Sequence, residues 1–157
     1  MAPLFLIDLA SIDLTQVLAT AQDIEKVIPQ RGAMRHLDGI IWADEDHKNT
    51  VGFKDVRHDE FWVPGHIPGR PILPGVIMIE AAAQLAAYLM KLREPQLGFV
   101  GFVGCDNVKF RGQVLPGQRL FLLGKEVSYR PRRFICDAQG VVDGNLVFEA
   151  RITGMPI

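Results

Sequence analysis

The spacing of apolar positions changes once along the chain. From residue 96 onward apolar residues tend to alternate with polar ones, in LGFVGFVGCDNVKFRG, QRLFLLGKEVSYR, RFICDAQGVVDG and NLVFEARITG. Period two, bounded by turn residues, predicts half-buried strands. Asp143-Gly144 between two of these runs predicts a tight hairpin. Just upstream, nearly every position from Val76 to Met90 is apolar or alanine. A helix that is hydrophobic all round is a buried one, so the pattern predicts a single long central helix over roughly Val76–Lys91, entered through Pro74-Gly75. Earlier still, TVGFKDV reads as a strand, QRGAMRHLDGIIWADE as a turn followed by an extended segment, and DIEKVI as a short helix capped by Asp23 and stopped by Pro29. The sum is an α+β domain: an antiparallel sheet of five to seven strands around one helix. Residues 1–20, with LFLIDLASIDL, form an N-terminal arm apolar enough to pack onto something, and 21–157 form one domain.

The polar exceptions within the central helix are Glu80, Gln84 and Tyr88. Their i, i+4, i+8 spacing puts them on one face. A polar stripe on a buried helix meets either a polar cavity or a partner. Burying a carboxylate disfavours its ionised form, and a carboxyl held protonated suits proton transfer. The bland reading pairs Glu80 with a structural arginine such as Arg70. The preceding loop alternates Pro64, Pro68, Pro71 and Pro74 with Gly65, Gly69 and Gly75. Proline fixes φ and glycine permits unusual backbone, so such a loop is shaped rather than slack. It carries His66, which alone reads as an ordinary loop histidine. Its company adds a second reading, because the loop feeds the N-terminus of the helix bearing Glu80. The free backbone N–H groups of Gly75 and Val76 there can hold a developing oxyanion.

Composition narrows the classes. The chain has 157 residues, 48% of them hydrophobic, and a formal net charge of −1. That charge argues against a nucleic-acid binder. Cys105 and Cys136 lack zinc-site spacing and read as reduced thiols in strands, which suits the cytoplasm. The N-terminus has no basic n-region, and no uncharged run reaches the ~20 residues of a membrane span. His36, His47 and His58 lie in polar contexts and read as surface residues. No serine sits in a nucleophile elbow, and Gly98, Gly101 and Gly104 do not form a phosphate loop.

GHIPGRPILPGVIMIEAAAQ, residues 65–84, closely resembles the active-site segment of the FabZ-type 3-hydroxyacyl-acyl carrier protein dehydratases, GHFPGxPxxPGVxxxEAxAQ. CDNVKFRGQVLPGQRL, VVDGNLVFEARI and IPQRGAMRHLDGI are similar to further family segments, so the likeness spans roughly residues 24–153. It implies a hot-dog fold, a curved antiparallel sheet wrapped around one long helix. It implies a homodimer, in some members a trimer of dimers, with His66 from one subunit and Glu80 from the other. The implied substrate is a 3-hydroxyacyl thioester on the phosphopantetheine of acyl carrier protein, with no metal or redox cofactor. The assigned roles are His66 as base, Glu80 as acid, Gly75 and Val76 as oxyanion donors, and Gln84 as support. Ile67, Phe99 and Phe102 would line the acyl tunnel. Arg130, Arg132 and Arg133, or else Lys109 and Arg111, would dock the acidic carrier protein or simply be solvated strand ends. Isomerising relatives carry aspartate at the helix position, so Glu80 points to dehydration alone. The chain departs from the pattern at Ile67 (Phe in the family), at Gln118 (Asp) and at MRHLDGI (an apolar LLVDRV-like run). The alternatives are a hot-dog thioesterase and a non-catalytic acyl-thioester binding module.

Overall fold

The computed structural model describes residues 4–157. Residues 1–3 of the arm lie outside that range. The strands are β1 (Ala19–Thr20), β2 (Gly39–Ala43), β3 (Asn49–Asp55), β4 (Val100–Phe110), β5 (Arg119–Arg130), β6 (Arg133–Val142) and β7 (Asn145–Pro156). The helices are α1 (Ala21–Glu25) and α2 (Gly75–Arg93). All strand pairs are antiparallel, in the order β1-β2-β3-β5-β6-β7-β4. This is the α+β hot-dog architecture the pattern and the resemblance implied.

Local chemistry explains most boundaries. Asp143 (φ 48°) and Gly144 (φ 76°) form the tight turn between β6 and β7, where two positive φ values in a row favour Asp-Gly. The cap of α1 differs from expectation. Thr20 is the N-cap and accepts from the Asp23 N–H, while Asp23 reaches back to the Thr20 N–H as its reciprocal partner. Asp23 thus sits three residues inside the start rather than at it. Helix α2 runs one residue earlier and two later than predicted, with Lys91 and Arg93 in the last turn, where cations favour the helix dipole.

The sheet curls around α2. Ala81, Leu85, Leu89 and Met90 of the helix are fully buried against Leu120, Leu122, Phe134, Phe148 and Ile152. By length and composition α2 would also pass for a membrane span. Here its apolar surface is spent on the sheet, each buried Leu contributing about 2 kcal/mol.

The opposite face of the sheet is covered by the arm. Ile7 is buried with Ile41, Val51, Phe53, Leu123 and Val141, and Phe5, Leu6, Leu9, Ile12 and Leu14 pack around them. Gln139 clamps the arm: its Oε1 accepts from the Leu6 N–H at 2.8 Å and its Nε2 donates to the Leu4 carbonyl at 3.2 Å. The structure is therefore three layers: arm, sheet and helix.

Both cysteines are free, Cys136 buried and Cys105 half-buried; burial pushes the Cys136 thiol up to about 12. His58 is exposed and His47 half-buried in a turn, but His36, read as a surface residue, is not at the surface. It is 1% exposed, because Lys54 of β3 and the ring of Phe61 close over it.

Candidate active site

Residues 56–74 connect β3 to α2. Trp62 and Leu73 are buried and anchor the loop, and the Leu73 N–H bonds the Val114 carbonyl at 2.8 Å. Between those anchors the chain turns tightly: the His66 N–H donates to the Trp62 carbonyl at 2.9 Å and the Arg70 N–H to the Ile67 carbonyl at 2.9 Å. The His66 ring is oriented by one further contact, Nδ1 to the Ile72 carbonyl at 2.7 Å. A carbonyl only accepts, so Nδ1 carries a proton, and it is the Nε2 of the neutral ring that presents a lone pair. The ring is exposed in the isolated chain.

Glu80 lies one turn and a half into α2 and is half-buried rather than enclosed. Gln84 Nε2 donates to Glu80 Oε1 at 2.9 Å and to the Met34 carbonyl at 2.7 Å. Gln84 Oε1 accepts the His36 N–H at 2.8 Å, which settles which way the amide faces. Gln84 is 1% exposed, so these contacts hold it rigidly. Arg70 is exposed, and no ion pair among the described residues includes Glu80. The bland reading of Glu80 therefore fails. Tyr88, third in the stripe, faces the core, and burial, then Asp23, raises its phenol.

Glu80 and Gln84 border a cavity of about 170 Å³ whose other walls include Phe99, Phe102, Phe134 and Ile152. Two of the three expected tunnel residues, Phe99 and Phe102, are thus brought to the carboxyl, and Ile67 is not. Ile67 stays with His66 on the exposed loop. The sequence reading missed Gln30, which lines the same cavity with its Oε1 buried and unpartnered. A lone glutamine beside a proline carries no signal to find it by.

Gly75 and Val76 open α2, and their N–H groups have no acceptor within the helix. A Cβ on Gly75 would lie 2.7 Å from Phe110 Cε1, so glycine lets the helix start beside β4 with the Phe110 ring where it is. Within one chain no hydrogen bond joins His66 to Glu80, and His66 does not line the cavity at Glu80. Arg130, Arg132 and Arg133 are exposed around the β5–β6 hairpin. In the other basic patch Arg111 is ion-paired with Glu149, leaving Lys109 exposed. Gln118, one of the departures, accepts the Leu115 N–H at 2.8 Å and closes its own turn. No group of three His, Cys, Asp or Glu side chains able to hold a metal exists among the described residues.

The FabA-like domain family matches residues 28–151, which include the His66 loop, Glu80 and the cavity walls Phe99 and Phe102. The chain belongs to the FabZ-type dehydratases of that family. The FabZ 3-hydroxyacyl-[acyl-carrier-protein] dehydratase of Bacillus velezensis is 40% identical over 136 residues, covering 84% of this chain and 94% of the relative. The FabZ dehydratase of Rhizobium etli is 37% identical over 150 residues and covers 94% of this chain, too much of it to leave out the whole arm. Among solved structures, the dehydratase heterocomplex ApeI:P from Xenorhabdus doucetiae matches with a TM-score of 0.73 at 14% identity, covering 85% of this chain and 90% of that one. The virulence protein Cj0977 from Campylobacter jejuni matches with a TM-score of 0.65 at 16% identity, covering 89% and 94%. At such identities the structures speak for the shared hot-dog fold alone.

Proposed function

We propose that this chain dehydrates 3-hydroxyacyl-acyl carrier protein to trans-2-enoyl-acyl carrier protein, in active sites shared between two copies. His66 Nε2 takes the C2 proton. As the C2–H and C3–O bonds break and the C2=C3 bond forms, Glu80 of the partner subunit protonates the departing hydroxyl, directly or through a water, and water leaves. The thioester oxygen, enolate-like on the way, is held by the Gly75 N–H, with Val76 beside it. Gln84 holds the Glu80 carboxyl in place. No metal or redox cofactor takes part. The acyl chain lies along Phe99 and Phe102, with Ile67 at the mouth.

The observation that carries this reading is the pair of fixed groups: an imidazole whose Nδ1 is committed to the Ile72 carbonyl, and a carboxyl held by Gln84 at a largely apolar cavity. Acid–base help of this kind is worth ~10²–10⁴-fold, and one oxyanion donor roughly 3 kcal/mol. Sharing is supported by β4, an edge strand of the sheet on which Phe102, Val103 and Phe110 are exposed. A long apolar edge pairs readily with another copy. Such a dimer is also the unit from which a trimer of dimers is built. Exposed Arg130, Arg132 and Arg133 offer the carrier protein a basic surface.

The test follows enoyl absorbance from a 3-hydroxyacyl thioester with His66→Ala and Glu80→Gln. Each variant should lose at least about 100-fold in kcat, and a mixture re-formed as heterodimers should regain activity. Near-normal rates in both folded variants overturn the chemistry. No recovery in the mixture overturns the sharing. Release of free thiol in place of a conjugated double bond would make the protein a thioesterase.

A further inference from the structure

Behind the site lies a polar cluster sealed from solvent. Lys54 and His36 are each 1% exposed and Glu60 is 7% exposed. Lys54 Nζ donates to Glu60 Oε1 at 2.6 Å and meets His36 Nδ1 at 3.3 Å. An ammonium has donors only, so Nδ1 is the acceptor. The second Glu60 oxygen accepts the Arg57 N–H at 2.8 Å. Burial alone would raise the Glu60 carboxyl; the bonds from Lys54 and the Arg57 N–H outweigh it and hold it below the usual carboxylate range. Burial, and then the Lys54 cation, push the His36 imidazole down to about 4, so it is neutral.

Each end of this cluster leads to a group of a different one of the two shared sites. On one side the His36 backbone N–H bonds Gln84 Oε1, and Gln84 Nε2 bonds Glu80 Oε1. On the other side Glu60 belongs to the loop of His66: its carbonyl accepts the Val63 N–H at 3.1 Å, and the Trp62 carbonyl accepts the His66 N–H at 2.9 Å. One buried ion pair therefore braces both the acid and the base. A buried ion pair is not needed for stability as such, because replacing one by well-packed neutral groups is often neutral or stabilising.

From this geometry we infer that Lys54, Glu60 and His36 are positioning residues of the dehydratase sites, setting the Gln84–Glu80 pair of one shared site through His36 and the His66 loop of the other through Glu60. The inference rests on the roles proposed above for His66 and Glu80. It also assigns a use to His36, which stands in the segment where this chain departs from the family's apolar run.

The informative variant is Lys54→Met/Glu60→Gln in the full-length protein. It removes both charges together, and the amide oxygen that replaces the Glu60 carboxylate can still accept the Arg57 N–H. Circular dichroism, a thermal midpoint, and kcat and KM on a 3-hydroxyacyl thioester are measured. The expected result is a folded protein whose midpoint falls by several degrees, because the new amide NH2 group and His36 Nδ1 each lose the partner Lys54 supplied. Its kcat falls by about 10- to 100-fold, the range a misplacement of about 1 Å produces. Its KM changes by less than about twofold, since substrate contacts are untouched. Should the double variant fail to fold, His36→Leu decides by the same measure, because it keeps the ion pair and removes only the ring through which that pair sets the His36 backbone against Gln84. Wild-type kcat in the folded variant overturns the inference, as does a loss that only tracks the folded fraction or appears in KM. If His66→Ala and Glu80→Gln are themselves active, the site assignment falls, and this inference with it. If those two are inactive while Lys54→Met/Glu60→Gln is normal, this inference alone falls.

Discussion

Lowering the pH from about 7 to about 5 will destabilise the fold by about 2 kcal/mol through one buried histidine, His36. Its imidazole is pushed down from 6.5 to about 4, first by burial and then by Lys54, with Arg57 adding to the effect and Glu60 and Asp38 opposing it. In the unfolded chain the same ring takes up a proton near 6.5, whereas the folded protein refuses it until about 4. Between those values the unfolded state binds more protons, so stability falls as pH falls through the window and levels off below it. Glu60 acts lower down: its folded value lies below 4.5, so its contribution is complete above 4.5 and is lost only as pH drops through the folded value. The window from about 7 to about 5 therefore reports mainly on histidine. The assay is urea unfolding at both pH values, at constant protein concentration, for wild type and His36→Leu. Wild type should lose about 2 kcal/mol more than the variant, or roughly 4–8 °C in thermal midpoint. Equal losses in the two proteins would refute a neutral, proton-refusing His36.

Three further outcomes follow from the contacts. Gln84→Leu removes the donor to Glu80 and leaves the His36 N–H buried without an acceptor. It should cost about 1–3 kcal/mol in unfolding experiments and at least about 10-fold in kcat. Gly75→Ala places a methyl 2.7 Å from the Phe110 ring, so either that ring or the helix start must shift. Activity should fall while far-ultraviolet circular dichroism stays native, and Phe110→Ala in the same chain should restore part of it. Ile7→Ala empties a buried position on the arm and should destabilise by roughly 2 kcal/mol in denaturant titration, with kcat unchanged for the folded protein. An unchanged midpoint would mean that the arm does not pack on the sheet in solution.

Features governed by neighbours in sequence were legible before any coordinates. The β5, β6 and β7 runs, the Asp143-Gly144 turn and the long helix follow from periodicity and turn chemistry. His66, Gly75, Glu80 and Gln84 lie within twenty residues, so one motif could carry them all. The α1 cap was misplaced because Thr20 and Asp23 are both good capping residues, and only the reciprocal bonds decide between them. His36 was misread because the polar letters around it suggest a surface, while its burial depends on Lys54, 18 residues away, and its backbone partner Gln84 is 48 away. Gln30 was invisible for the same reason.

Pattern and motif in the chain were thus sufficient for the long strands, the central helix and the candidates proposed as acid and base, since each depends on residues close in sequence. The tertiary structure alone decided that the arm covers the outer face of the sheet, that Glu80 faces the cavity with Gln84 rather than Arg70, and that Lys54, Glu60 and His36 meet in the interior. Those outcomes depend on which surfaces become buried against each other, and burial is set by contacts between distant segments.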